Sequence, residues 1–388
     1  MYQRLLNPIL DNSFFLFGAR GTGKTSWLKE NIDLKNSVWI DLLDEEEYFR
    51  YTKRPQTLVE IIPPDHPKKA LIVIDEIQRV PNLLNYVHKL IEDKKYIFAL
   101  TGSSARKLKR SGSNLLAGRA LLNKLHPLTS FELAKNFDLL AVLNWGALPT
   151  VHHKGSFKFK SNYLKTYVQT YLRQEIKEEQ IVRNLAPFIN FLEIATQANG
   201  QILNFSKMAD QCGVDSHAIN RYFEILVDTM LGFYLEPYHT SVRQRQVQHS
   251  KFYFFDLGVK RALEGMLTVP IIERGGTAFG DAFEHFFILE LIRLNDYCET
   301  DYKFSYLRTG SGVEFDVIVE RPGLDKILIE IKSSDEIEES IVKKREELRK
   351  DLLPNEFWVV SREKRKRYLG SAVIMPWQLA LKELFKIK

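Results

Sequence analysis

The first 150 residues alternate short apolar runs with segments whose hydrophobic residues recur at helical spacing. Residues 14–17, 70–74 and 96–100 are apolar almost throughout, which is typical of strands buried on both faces of a parallel sheet. The helical segments between these runs would cover the two faces of the sheet. The pattern therefore predicts an α/β domain with a parallel sheet in the first part of the chain.

The pattern changes after residue 155. Residues 161–199 predict two helices that separate near Pro187. A short helix capped by Ser206 and ended by Gly213 is predicted next, and Ser216 would open a second helix with one apolar face. This succession is typical of a helix-turn-helix motif.

Two apolar segments after these helices predict a pair of strands, residues 232–237 and 251–255. The basic tip of their hairpin would contain Arg243 and Arg245. Helices and hairpin together predict a winged helix.

The second helix of this motif carries the residues that would face a DNA groove, namely His217, Asn220 and Arg221. Glu224 and Asp228 on the same helix would repel phosphates. The alternative is therefore a winged helix that packs only against protein.

The last part of the chain returns to strand patterns, at residues 304–308, 313–319 and 326–331. They follow an apolar helix that carries Glu284. A chain of 388 residues is too long for one ordinary core, so we expect several domains. The predicted domains are residues 1–155, 156–270 and 271–388.

Composition indicates where the protein is located and what kind of partner it binds. No stretch of 18 apolar residues occurs, and the first residues contain no apolar signal-peptide core, so a cytoplasmic protein without a membrane span is expected. Cys212 and Cys298 are the only cysteines and lack the spacing of a structural zinc site. The net charge of +6 and a pI near 9.0 favour an acidic partner such as nucleic acid.

A phosphate-binding motif follows the first apolar run. The sequence from Gly18 to Thr25 fits G-x-x-x-x-G-K-T, in which backbone N–H groups and the lysine surround phosphate oxygens. Its three glycines are expected to adopt positive φ. Lys24 would reach the β- and γ-phosphates, and the Thr25 hydroxyl would ligate Mg²⁺. The strand before the motif and the amphipathic helix after it distinguish it from a chance glycine-rich turn. The predicted nucleotide-binding residues are Gly18, Ala19, Arg20, Gly21, Thr22, Gly23, Lys24, Thr25 and Ser26, and the predicted cofactors are ATP and Mg²⁺.

Two carboxylates end the second apolar run. Asp75 would hold Mg²⁺ through water, and Glu76 would orient or deprotonate the attacking water. A glutamate at this second position favours ATP hydrolysis over binding alone. The alternative, a strand that ends in surface acids, is common where no phosphate-binding motif accompanies it.

Two further residues are candidates for the ATPase site. Ser103, at the end of the third run, is the candidate sensor of the γ-phosphate, with ordinary loop capping as the alternative. Arg119 is the candidate finger that stabilises transition-state charge on a neighbouring subunit's nucleotide, with a solvated surface arginine as the alternative. A finger supplied in this way requires a homo-oligomer.

The chain resembles a prokaryotic family of AAA-type P-loop ATPases in an ordered series of segments: GARGTGKTS, IDEIQRVPNLL, LTGSSARKL, LLAGR, LHPLTSFE and GALPT. In that family the ATPase module is joined to a C-terminal region described only as a domain of unknown function. The resemblance continues through residues 163–176 and 251–258 to the Glu-Ile-Lys segment that ends at Lys332. It implies an AAA-type ATPase and leaves the biological role open.

The C-terminal strands resemble those of restriction-endonuclease-like nucleases, because Glu284 is followed by E-x-D at Asp316 and by E-x-K at Glu330 and Lys332. The three carboxylates would gather one or two Mg²⁺ ions, and Lys332 would position or deprotonate a water. The alternative is that E-x-K is the solvent face of a half-buried strand.

The combined prediction is an ATP-regulated enzyme that processes nucleic acid, DNA in preference to RNA. The basic run 362–367 would add phosphate contacts, or would be a solvated loop. The competing hypothesis is an ATP-driven switch or remodeller that acts on a protein partner, with a C-terminal module used for binding or oligomerisation.

Overall fold

The computed structural model describes residues 2–33, 36–62, 70–93, 96–103, 116, 118–153, 155–172, 185–239, 249–273 and 276–387. Its strands form two sheets. The strands are β1 (Phe14–Phe17), β2 (Ser37–Asp41), β3 (Ala70–Asp75), β4 (Tyr96–Gly102), β5 (Leu121–Lys124), β6 (Gly232–Pro237), β7 (Lys251–Phe254), β8 (Lys303–Arg308), β9 (Glu314–Glu320), β10 (Lys326–Ile331), β11 (Asn355–Ser361), β12 (Arg367–Leu369) and β13 (Ala372–Pro376).

Helices surround both sheets, and a π-helical segment, Tyr167–Leu172, follows the eighth of them. The helices are α1 (Lys24–Asn31), α2 (Glu45–Lys53), α3 (Thr57–Glu60), α4 (Leu83–Glu92), α5 (Ser130–Leu133), α6 (Leu139–Trp145), α7 (Pro149–His153), α8 (Phe157–Thr166), α9 (Leu185–Gln197), α10 (Phe205–Cys212), α11 (Ser216–Asp228), α12 (Leu257–Leu263), α13 (Thr277–Cys298), α14 (Glu339–Lys343), α15 (Glu346–Lys350) and α16 (Trp377–Phe385). Short 3₁₀ turns, Ile77–Arg79 and Ala134–Asn136, complete the described elements.

The N-terminal sheet has the order β2-β3-β4-β1-β5, and all its strand pairs are parallel. All four residues of β1 are buried, as expected for a central strand of a parallel sheet. The loops that follow β1, β3 and β4 meet at the carboxyl edge of the sheet. This confirms the predicted parallel sheet of mixed α/β class and puts the candidate ATPase residues on one edge.

The central helices are described in part, and one helix cap differs from the prediction. Pro187 is the third residue of α9 as the structure describes it, and residues 173–184, where the two predicted helices would separate, lie outside the described residues. Helix α10 is capped by Asn204, whose side chain accepts a hydrogen bond from the Lys207 amide at 3.0 Å. Ser206 was predicted as the cap, but it already lies inside the helix.

The second sheet contains eight strands in the order β12-β13-β11-β10-β9-β8-β6-β7. The predicted hairpin strands β6 and β7 pair antiparallel, and β6 also pairs with β8. The hairpin is therefore part of the C-terminal sheet and does not stand apart as a free wing. Its predicted basic tip, with Arg243 and Arg245, lies outside the described residues.

The buried hydrophobic clusters extend across the predicted domain boundaries. The boundaries themselves stay predictions. Leu128, Leu143 and Tyr253 belong to the same buried cluster as the apolar face of α13. Residues before and after the predicted limits at 155 and 270 thus share one core. No helix in the described parts of the chain is both long and apolar enough to cross a membrane.

Candidate functional site

The phosphate-binding loop connects β1 to α1. Gly21 and Gly23 have φ of 82° and 96°, as predicted for glycines that turn amides toward an anion. The prediction was wrong for Gly18, which does not have positive φ. A Cβ on Gly18 would lie 2.3 Å from the Leu125 carbonyl oxygen, so this glycine is required by the close approach of the chain after β5.

Lys24 is the first residue of α1, and its side chain is buried against the loop. The Lys24 Nζ donates to the Gly18 carbonyl oxygen at 2.8 Å. Gly23, at the N-cap, offers no side chain to the first amides of the helix. A lysine and helix amides that converge on one loop make an anion site.

Asp75, at the end of β3, lies beside the loop. The Thr25 hydroxyl donates to Asp75 Oδ2 at 2.8 Å, and the Thr101 hydroxyl donates to Asp75 Oδ1. The structure thus brings the two predicted Mg²⁺ ligands of this site together, with Asp75 only 2% exposed. Hydroxyl and carboxylate oxygens are the ligands that Mg²⁺ prefers, so these residues fit the ion. Sequence reasoning missed Thr101.

Glu76 has φ of 60°, a conformation that non-glycine residues rarely adopt. Its amide donates to the Thr101 hydroxyl at 3.0 Å. The side-chain amide of Gln78 donates to the Glu76 carboxylate and lies 3.1 Å from the Ser103 Oγ. The predicted base and the predicted sensor are therefore joined by Gln78, a residue that sequence reasoning missed although it lies only two positions after Glu76.

Arg119 precedes β5 and so lies near the amino edge of the sheet, opposite the phosphate-binding loop. Its side chain is 39% exposed, and its guanidinium pairs with Glu92 at 2.7 Å. Because a parallel strand separates it from the loop, Arg119 does not reach the nucleotide site of its own chain. A role on a neighbouring subunit's nucleotide stays a prediction.

The second candidate site lies between β9 and β10. Ile329 pairs with Val317 in the antiparallel register, which puts Glu330 beside Asp316. The Ile331 amide donates to Asp316 Oδ2 at 2.7 Å. Glu330 is completely buried, which excludes the alternative that its side chain belongs to a solvent face.

Two cations contact the buried carboxylate of Glu330. Lys332 Nζ lies 2.5 Å from Glu330 Oε1, and the Arg345 guanidinium donates to the same oxygen. Arg345 also donates to the Glu314 carbonyl oxygen at 2.8 Å. The second oxygen, Glu330 Oε2, is buried without a hydrogen-bond partner among the described residues. A buried oxygen without a partner fits an additional cation at this position.

Glu284, on α13, completes this acidic cluster. The Tyr253 hydroxyl donates to Glu284 Oε1 at 2.7 Å. Lys251, from β7, lies 4.0 Å from the same oxygen and pairs with Glu314. Sequence reasoning missed Lys251 and Arg345, which reach the cluster from elements outside the E-x-D and E-x-K strands.

The carboxylates in this cluster resist ionisation. Burial and the Asp316 carboxylate raise the pKa of Glu284 to about 7 and that of Glu330 to about 8. Burial also raises the pKa of Asp316 above its ordinary value. Carboxyl groups with raised pKa values are typical of sites that bind a cation or carry out proton transfer. Structural ion-pair networks also shift pKa values in this way.

The carboxylates of this cluster do not surround a common metal position. Within the part of the chain that the structure describes, no group of three or more His, Cys, Asp or Glu side chains is arranged to hold a metal ion. The predicted ligands Glu284, Asp316 and Glu330 are near one another, but protein cations already compensate part of their charge.

Some residues that were predicted to contact nucleic acid are exposed, and others pair with acidic residues of the same chain. His217 and Arg221 are exposed on α11, while Asn220 donates to Glu224 at 3.0 Å. In the basic run the cations Arg362, Lys366 and Arg367 pair with acidic residues of the same chain. Phosphate contacts by this run would have to compete with those ion pairs.

Three family models match successive segments of the chain. Residues 11–134 match the family model of an AAA domain. This match supports the predicted AAA-type ATPase domain, and the roles of the loop residues, Asp75 and Glu76 stay predictions. Residues 136–269 and 279–380 match two models that are both described as domains of unknown function.

Similar proteins occur in bacteria and archaea. An uncharacterized protein of Mycobacterium tuberculosis is 26% identical over 257 residues, 66% of this chain and 57% of that protein. Uncharacterized proteins of Haemophilus influenzae and Methanocaldococcus jannaschii are 22% and 24% identical, over 75% and 87% of this chain and 78% of each protein. The matched part of the chain thus spans little more than half of the mycobacterial relative.

Two solved structures are weakly similar to this chain. The Aeropyrum pernix ORC1 protein in complex with DNA has a TM-score of 0.30 at 13% identity, over 66% of this chain and 86% of that one. A Vibrio cholerae protein has a TM-score of 0.22 at 14% identity, over 91% and 97% of the two chains. TM-scores this low do not establish a shared fold.

Proposed function

We propose that this protein is a Mg²⁺-dependent ATPase whose AAA domain controls a metal-dependent nuclease site in the C-terminal sheet. The observation that carries the ATPase is the 2.8 Å contact between the Thr25 hydroxyl and Asp75, which joins the phosphate-binding loop to the end of β3. These two groups would hold Mg²⁺, and the ion would neutralise charge on the phosphates.

The residues around this contact have separate roles in the proposed hydrolysis. The amides of the loop and Lys24 bind the phosphates. Glu76 accepts a proton from the attacking water, and Gln78 orients the Glu76 carboxylate. Ser103 lies within reach of the same Gln78 nitrogen and would report the position of the γ-phosphate.

The nuclease proposal depends on the acidic cluster. Asp316, Glu330 and Glu284 are not arranged around a metal position in this structure, so they would hold Mg²⁺ only after moving closer together. The ion would then stabilise charge on a phosphodiester. Lys332, directly after β10, would position or deprotonate a water. Nucleic acid would be bound electrostatically, with the exposed His217 and Arg221 of α11 as contacts. Self-association through Arg119 belongs to the same proposal.

The test uses the full purified chain in two assays. Phosphate release from ATP is measured with Mg²⁺ and with excess chelator, and cleavage of labelled DNA and RNA is measured with and without ATP. Lys24→Ala should weaken ATP binding by at least about tenfold, because a charge-assisted contact is lost. Lys29→Ala, an exposed lysine on the same helix, is the matched control. A wild-type chain that neither binds nor hydrolyses ATP would contradict the ATPase proposal.

The second candidate function is an ATP-driven switch with a non-catalytic C-terminal module. The observation that favours it is the compensation of Glu330 by both Lys332 and Arg345. Buried ion pairs of this kind also stabilise purely structural sites. ATPase activity without cleavage of any nucleic acid, in any nucleotide state and with Mg²⁺ or Mn²⁺, would favour the switch over the nuclease.

A further inference from the structure

Arg4, in the segment before β1, lies between the phosphate-binding loop and the end of α13. Its side chain is only 7% exposed. Arg4 Nη1 donates to the Thr22 carbonyl oxygen at 2.8 Å, and Arg4 Nη2 lies 3.0 Å from the Tyr297 hydroxyl. One guanidinium therefore contacts both the loop and the last turn of a C-terminal helix.

The contact with Thr22 affects the part of the loop that faces phosphate. A trans peptide is planar, and its carbonyl and amide groups point in opposite directions. By holding the Thr22 carbonyl outward, Arg4 orients the Gly23 amide toward the inside of the loop. Tyr167 acts in the same way on the neighbouring Arg20 carbonyl, to which its hydroxyl donates at 2.9 Å.

The contact with Tyr297 belongs to a docked helix end. The His126 amide donates to the Tyr297 hydroxyl at 2.9 Å, and His126 Nε2 lies 2.7 Å from Asp296. Arg4 Nη2 also donates to the His126 carbonyl oxygen at 2.5 Å. The last turn of α13 is thus attached to the chain that follows β5, at the carboxyl edge of the N-terminal sheet.

Helix α13 continues from this attachment to the acidic cluster. It is one helix of 22 residues, and it carries Glu284 near one end and Tyr297 near the other. The two residues are separated by roughly 20 Å along the axis, at 1.5 Å per residue. Arg293 and Glu290 anchor the helix between them, to the Leu128 carbonyl oxygen and to Ser130. A continuous, anchored helix is the kind of rigid element that can carry coupling between its two ends.

We infer that Arg4 is a positioning residue for the phosphate-binding loop and that, through Tyr297, it couples nucleotide binding to α13 and thereby to the acidic cluster at Glu284. The inference builds on the proposed ATPase and nuclease sites. Coupling between two sites is reciprocal, so a change confined to the end of α13 alters the affinity for nucleotide.

The test removes one hydroxyl from the C-terminal region. Arg4→Ala is unsuitable as the first variant, because it would leave the fully buried Glu132 carboxylate without its 2.8 Å partner. Tyr297→Phe keeps the ring and removes only the group that Arg4 and His126 contact. Tyr302→Phe is the matched control, since its hydroxyl donates to the Leu384 carbonyl oxygen and has no contact with the loop.

The measurement is the dissociation constant of a non-hydrolysable ATP analogue with Mg²⁺, by titration calorimetry, with the melting temperature of each variant recorded without nucleotide. We expect Tyr297→Phe to bind the analogue about three- to tenfold more weakly, the effect of one hydrogen bond. Tyr302→Phe should bind within about twofold of the wild type. Arg4→Lys, which keeps a cation beside Glu132 but has no guanidinium fork, should weaken binding in the same direction.

The outcomes separate this inference from the proposed function. Equal affinity of the wild type, Tyr297→Phe and Arg4→Lys for the analogue, with Lys24→Ala deficient, would overturn the coupling and leave the ATPase proposal standing. Equal weakening in Tyr297→Phe and Tyr302→Phe would also overturn it, because the effect would then follow general stability. A wild type that does not bind the analogue would contradict both the ATPase proposal and the coupling.

Discussion

The side-chain amide of Gln78 donates a hydrogen bond to the carboxylate of Glu76. The same nitrogen lies 3.1 Å from the Ser103 hydroxyl, so Gln78 fixes the proposed base relative to the end of β4. Such a contact matters for catalysis because a general base acts only from the correct position and orientation.

Glu76→Gln should leave ATP binding intact and slow hydrolysis by about 100-fold or more, because an amide cannot accept the water's proton. Single-turnover phosphate release measures the chemical step, and calorimetry measures the affinity. Glu46→Gln, an exposed residue of α2, is the matched control. Hydrolysis at the wild-type rate in Glu76→Gln would show that another group is the base.

Gln78→Leu should lower kcat by about tenfold while KM changes little, because the base is present but no longer oriented. Gln78→Glu would place a second carboxylate beside Glu76 and should be at least as defective. The measurement is a steady-state ATP titration of each variant. A Gln78→Leu variant that changes only KM would assign Gln78 to nucleotide binding.

Arg119→Ala should cut the ATPase rate about 1,000-fold with little change in nucleotide affinity, if its guanidinium completes a neighbouring subunit's site. The specific activity of the wild type should then rise with protein concentration. Arg54→Ala removes another exposed arginine that pairs with a carboxylate of its own chain and is the control. A protein that is monomeric by light scattering, with turnover independent of concentration, would eliminate the finger.

Asp316→Asn should abolish Mg²⁺-dependent cleavage of nucleic acid and preserve ATPase activity, because it removes one ligand charge without changing the side-chain shape. Lys332→Ala should lose cleavage but retain metal binding, since lysine does not ligate the ion. Asp325→Asn, exposed in the turn between β9 and β10, is the control. Cleavage that persists in Asp316→Asn would place the reaction elsewhere or in a contaminant.

Gly146→Ala should destabilise the fold by about 1–3 kcal/mol, as measured by urea unfolding, because the added Cβ overpacks its site. That Cβ would lie 2.0 Å from Asp256 Oδ1, and Gly146 has φ of 72°. Gly213→Ala separates the two causes, since Gly213 has φ of 66° with no neighbour within 4 Å of its Cβ. An equal loss in both variants would attribute the effect to backbone conformation alone.

The sequence by itself determined the features that depend on residues close together along the chain. A strand, a glycine-rich turn and a helix start predict the phosphate-binding loop, because these elements depend on local φ and ψ preferences. Asp75 and Glu76 were found for a similar reason, since an unbroken apolar run marks a central strand and its polar end marks the sheet edge. Glu330 was proposed from the resemblance to nucleases and not from the E-x-K spacing alone, and its role stays a prediction.

Only the tertiary structure decided which distant residues complete these sites. Arg4 and Tyr297 are far apart in sequence and meet because α13 docks at the end of β5. Lys251 enters the acidic cluster because β6 and β7 extend the C-terminal sheet. The reason is physical. The spacing of apolar residues along the chain shows whether a segment forms a helix or a strand. Which elements pack against each other depends on sheet order and tertiary packing, and that spacing does not encode either.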